Sequence, residues 1–179
     1  RAQLATLRKF VEDKGIVSIP GTEQALVAES PPYNRQNSAY ITTPGPYENN
    51  IPFVYNISPP DPAWSREEQA AYIDGESELL NTSVHEVWPG HFLQFLHSNR
   101  AKSRIGQLWV GYAYAEGWAH YAEEMMWDMG LGNGNPENHT TIGNDYRLIP
   151  TKPVLDGEPF YEDMIDGVFA RNDMTRPRG

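Results

Sequence analysis

The stretch TSVHEVWPGH, residues 82–91, limits what this chain can fold into more than any other. It opens as a metal-binding helix does, with His85 followed directly by Glu86. In the usual zinc-protease helix the second histidine comes four residues after the first, so both lie on one face. Here that position holds Pro89, and the next histidine is His91, six residues on.

Six residues at about 100° each put two side chains roughly 120° apart around an unbroken helix, too far apart to share an ion. Pro89 changes that. It has no amide hydrogen for the carbonyl of residue 85, and its ring crowds that carbonyl. Gly90 beside it tolerates unusual backbone angles. The pair is expected to bulge the helix by about two residues, which restores an effective spacing of four. His85 and His91 then face one point.

In the zinc-helix arrangement the glutamate after the first histidine is not a ligand. Glu86 is expected to act as general base on a metal-activated water and then to pass the proton to the leaving group. A catalytic zinc takes three protein ligands and keeps a fourth position open. The third ligand is expected from another helix, and YAEGWAHYAEE, residues 114–124, offers Glu116. His120 and Glu123 follow at spacings of four and three, on the same helix face. They read equally well as partly buried helix residues or as groups that orient the ligating histidines. Gly117 leaves room for another helix to approach. Tyr112, Tyr114 and Tyr121 lie nearby, each either an aromatic of the core or a donor to an oxyanion. His97 and His139 read as surface residues.

The rest of the chain frames these helices. Residues 2–13 carry Leu4, Leu7, Phe10 and Val11 at helical spacing, ended by Lys14-Gly15. GIVSIP (15–20), QALVAES (24–30) and IPFVYNIS (51–58) read as strands stopped by prolines, with AYITT (39–43) a short strand inside a loop region. Phe53 to Asn56 read either as an inner strand or as a sheet edge that pairs with an extended peptide. Residues 65–88 read as helical from a capping box of Ser65 and Glu68, with Gly75 able to divide the stretch. Residues 91–103 and 106–130 give two more helices, the last ended by Gly130. From Leu131 no periodic pattern returns. Three blocks result: strands and loops in 1–60, metal-site helices in 61–130, an irregular region in 131–179. The fold class expected is α+β, mainly helical, with a small upstream sheet.

A net charge of −10 argues against nucleic acid and anionic membrane partners. With no cysteine the chain has neither disulfides nor a thiolate metal site. No apolar run is long enough to span a bilayer. The sequons at Asn56, Asn81 and Asn138 read as chance matches. Starting at Arg1 and ending in ARNDMTRPRG, the chain reads as one partial domain of a longer protein. Its compartment is left open, with a periplasmic or secreted full-length protein compatible.

HEVWPGHFLQ followed after about 25 residues by EGWAHYAEE resembles the bacterial family called domain of unknown function 885. The family's pattern, His-Glu-x-x-Pro-Gly-His, then Gln, then Glu-Gly-Trp-Ala, is carried here by His85, Glu86, Pro89, Gly90, His91, Gln94, Glu116, Gly117, Trp118 and Ala119. VAESPPYNRQNSAYITT and FVYNIS upstream are also similar, so the resemblance covers roughly residues 1–128. It implies a zinc metallopeptidase of the gluzincin type, with two His and one Glu on the metal. Two departures stand out. Many members carry a second His where this chain has Phe92. Members also continue into an Arg- and His-containing region that is not recognisable after Met126.

The sequence therefore points to a peptidase that binds Zn2+ through His85, His91 and Glu116, uses Glu86 as base, and takes peptide substrates. Two rivals stay open. A non-catalytic metal-binding remnant would bind zinc without turnover. A non-haem iron oxygenase uses the same ligand types, but on a β-barrel and without a glutamate after the first histidine.

Overall fold

A computed structural model of the chain describes residues 1–73 and 75–134. Its secondary structure is α+β, with six α-helices and a three-stranded sheet among those residues. Helix α1 spans Ala2–Lys14 and buries Leu4, Leu7 and Val11, the stripe that the periodicity predicts. Each such side chain contributes about 2 kcal/mol on leaving water. Gly15 ends α1 at φ 61°, a left-handed conformation that favours glycine.

GIVSIP is not a strand. Ile16 closes the end of α1 by donating its amide to Val11 O. Ile16, Val17 and Ile19 then pack on the rim of the core without a partner strand. Their β-branched character serves burial here rather than pairing.

The sheet comprises β1 (Leu26–Glu29), β2 (Ala39–Thr42) and β3 (Val54–Ile57) in the order β1-β3-β2. β3 runs parallel to β1 and antiparallel to β2, with Ile41 opposite Tyr55. Val54 to Asn56 thus lie on the inner strand, with Phe53 immediately before it, as one of the two sequence readings has it, and the edges are β1 and β2.

Helix α2 (Arg66–Tyr72) begins at the Ser65–Glu68 capping box. Gly75 does divide the stretch, serving as N-cap of α3 (Glu76–Glu86). Helix α4 spans His91–Ser98. The run 106–130, expected as one helix, is two: α5 (Arg104–Leu108) and α6 (Tyr112–Asp128). Trp109 and Gly111 take extended ψ values of 76° and 141° between them. Hydrophobic spacing runs through this break, so it leaves no mark on the periodicity.

Val84, Val87, Trp88, Phe92, Leu93, Leu96 and Met126 meet α1 and β3 in one core. The helices that carry His85, His91 and Glu116 are therefore its walls, and their positions are fixed by packing. Asn56 and Asn81 are buried, so neither sequon is available in the folded chain. His139, the sequon at Asn138 and the irregular region beyond residue 134 lie outside the described residues.

Candidate metal centre

Residues 82–91 hold a helix break rather than a bulge within one helix. α3 stops at Glu86 and α4 starts at His91. Between them the amides of Val87 and Trp88 both donate to Ser83 O, and Gly90 N–H reaches back to Val84 O at 3.0 Å. The Trp88–Pro89 bond is cis. Gly90 has an ordinary φ of −67°, so left-handed geometry is not its reason. Space is: a Cβ there would stand 1.7 Å from the His85 carbonyl oxygen. The turn closes only because residue 90 has no side chain.

This break brings the two imidazoles together, with ring centroids 4.8 Å apart and planes at 88°. Helix α6 supplies Glu116. Its Oε2 lies 3.3 Å from His85 Nε2 and 3.5 Å from His91 Nε2. Nitrogen and oxygen ligands at 2.0–2.1 Å in tetrahedral array would be separated by about 3.3 Å. The three side chains form one of two metal-capable clusters among the described residues. The donor set and its spacing fit zinc. His91 is buried and His85 and Glu116 are partly so, which shields such a site on its protein side.

The second cluster is His85, His120 and Glu123. It shares His85, and its geometry is that of a support. Glu123 is buried and pairs with His85 Nδ1 at 2.5 Å, which directs His85 Nε2 toward Glu116. Burial opposes charge on His85, but the Glu123 hydrogen bond and the surrounding carboxylates outweigh it and raise its pKa. Burial likewise pushes Glu123 up, and its bonds to His120 and His85 more than reverse that. His91, chiefly through burial, is shifted down. Such carboxylate–histidine pairs fix a ligand's tautomer and ring orientation.

Glu86 projects to the side of this centre. Its Oε2 accepts the Ile41 amide of β2 at 3.0 Å. Burial raises its pKa to about 7, partly offset by His85 and by that amide. Glu86, His85, His91 and Glu116 line a cavity of about 480 Å³, walled by Ile41, Phe95 and Tyr112. A larger groove of about 680 Å³ between α1 and β1 includes none of these four residues and is set apart from the chemistry.

Other expected positions sort cleanly. Phe92 is fully buried, edge-on to Phe53 and Trp88 at 4.9 Å each, so position 92 points into the core while His91 points to Glu116. Tyr112 lines the cavity at 81 % exposure, whereas Tyr121 lies against Trp118. Tyr114 is exposed, and its carbonyl receives the Gln94 amide at 3.4 Å. His97 is a surface residue, bonded to Ser18 O. Sequence reading did not foresee the role of β2. AYITT is legible as a strand, but its place beside Glu86 depends on pairing between distant segments.

The fold and site define a class: an α+β domain in which two helices and a third, later helix present two His and one Glu to a single point. The chain belongs to the family described as "Bacterial protein of unknown function (DUF885)", which it matches over residues 1–158. That match extends 30 residues beyond the segment, roughly 1–128, over which the motifs carry the resemblance. A solved structure, described as that of "a putative lipoprotein of unknown function" from Shewanella oneidensis, is 33% identical with a TM-score of 0.68. The similarity covers 83% of this chain and 26% of that one, so the present chain corresponds to about a quarter of that protein's length. Comparison with curated proteins finds no match. Among the described residues no helix is long and apolar enough to cross a membrane.

Proposed function

We propose that this domain carries the metal centre of a gluzincin-type zinc peptidase. The observation behind this reading is the convergence of both imidazole Nε2 atoms on one oxygen of Glu116, with Glu86 alongside. His85, His91 and Glu116 would hold Zn2+, which when bound supplies a Lewis acid and acidifies a water.

The chain's own groups do the rest. Glu86 is held by the Ile41 amide through Oε2, which leaves Oε1 to take a proton and return it to the leaving amine. Burial keeps its carboxyl near pH 7, where both directions of transfer are accessible. A bound dication would pull that value down. The peptide substrate finds a place at β2. Ser58 N–H bonds Ser38 O on the β3 side, so Ser38, Tyr40 and Thr42 face β3. Alternation then directs the backbone groups of Ala39 and the Ile41 carbonyl outward, toward the cavity, the Ile41 N–H being taken by Glu86. An extended peptide can add to such an edge as a further strand.

The oxygenase reading places its ligands on a β-barrel, whereas here all three are on helices. The remnant reading differs from the peptidase only in turnover. Glu86→Gln separates them. The peptidase should lose peptide hydrolysis by 10²-fold or more while keeping its zinc. A wild-type protein that binds zinc but cleaves no peptide library supports the remnant.

A further inference from the structure

We infer that Trp118 is a positioning residue of the metal site, fixing the rotation of α6 so that Glu116 meets the two histidines. The inference rests on the metal-site reading above. Its basis is the distribution of residues around α6.

The buried apolar stripe of α6 is Ala115, Ala119, Ala122 and Met126, with Glu123 buried at its edge. At about 100° per residue, Glu116 and Glu123 lie on one flank of that stripe and Trp118 on the other. The first flank reaches His85 and His91. On the second flank the Trp118 indole donates its Nε1–H to Pro89 O at 2.9 Å. Pro89 is itself fully buried, inside the break that sets the His85–His91 geometry. Helix α6 therefore grips the same short segment from both sides, once with its ligand and once with its indole.

The alanines make the second grip necessary. Three of the four residues in the stripe carry only a methyl group, so interlocking side chains do little to resist rotation of α6 about its axis. A turn of about 10° would move a side-chain tip some 6 Å from the axis by about 1 Å. Metal–ligand distances tolerate about 0.2 Å. Packing of alanines alone does not hold that tolerance. A directed hydrogen bond on the opposite flank does, because rotation that withdraws Glu116 also breaks it.

The test is Trp118→Phe, which keeps an aromatic ring and removes the N–H. Zinc affinity is measured by chelator competition, cobalt-substituted protein by its visible absorption, and the metal-free protein by thermal unfolding. Zinc affinity should fall about tenfold, with altered cobalt bands and a metal-free melting temperature close to wild type. Wild-type affinity and cobalt spectrum in the variant overturn the inference. So does a loss of affinity matched by an equal loss of metal-free stability, which makes Trp118 merely structural. If the variant does not fold, the wild type decides through reciprocity. Zinc should slow hydrogen exchange at the Trp118 indole, and unchanged exchange overturns the inference. A wild type that binds neither metal defeats the metal reading itself, and this inference with it.

Discussion

Two of the breaks between helices in this domain, at 87–90 and 109–111, are built in opposite ways. At residues 87–90 the chain turns inside the core. Val87, Trp88 and Pro89 are buried, and Gly90 presses on the His85 carbonyl. At residues 109–111 the chain turns at the surface, between Leu108, Trp109 and Tyr112, with open space around Gly111. The first break is determined by contact and decides where His85 and His91 point. The second is determined by little more than the start of α6. A glycine in each carries a different meaning, although the sequence writes them alike.

The largest effect should come from Gly90→Ala. Its new methyl group would overlap backbone, which cannot rotate away. Destabilisation above about 4 kcal/mol is expected, as insoluble expression or a collapsed denaturant midpoint. A variant with native stability would show that the turn does not depend on the empty position.

Next in size is a pH effect at the buried break. Glu86 has a folded pKa raised to about 7 from 4.5, so the folded state binds its proton more tightly than the unfolded chain does. That contribution to metal-free stability is full below about pH 4.5 and is lost as pH rises through 7. His85, also raised, acts in the same direction. Glu86→Gln removes the Glu86 part. In metal-free denaturant titrations, wild type should lose on the order of 2 kcal/mol more than the variant between pH 4.5 and 8. Parallel curves would mean that Glu86 is not buried as described.

The smallest effect belongs to the surface break. Gly111 sits at φ −67° and ψ 141°, which alanine adopts freely. Gly111→Ala exchanges a slightly better N-cap for lower unfolded-state entropy. The midpoint should move by less than about 0.5 kcal/mol. A large loss would erase the contrast between the two breaks.

Much of the site was legible because it is local. His85, Glu86, Pro89, Gly90 and His91 fall within seven residues, and the backbone rules for proline and glycine apply there without tertiary knowledge. Glu116 was reachable because a third ligand had to come from another helix. The same rules missed the form of the turn, a full break rather than a bulge, because its hydrogen bonds to Ser83 and Val84 depend on how the chain folds back. They also missed the break at 109–111, where no proline marks the change. β2 as the edge beside Glu86, and Trp118 on the far flank of α6, are products of long-range packing. No spacing along the chain encodes either.

The proposed metal centre requires that the buried break deliver His91 to the same ion as His85 and Glu116. Metal content of the purified protein, wild type beside His91→Ala, tests it most directly. About one zinc per chain is expected in the wild type, with most of it lost in the variant and the fold retained. Equal zinc in the two proteins, or none in the wild type after zinc loading, would contradict it.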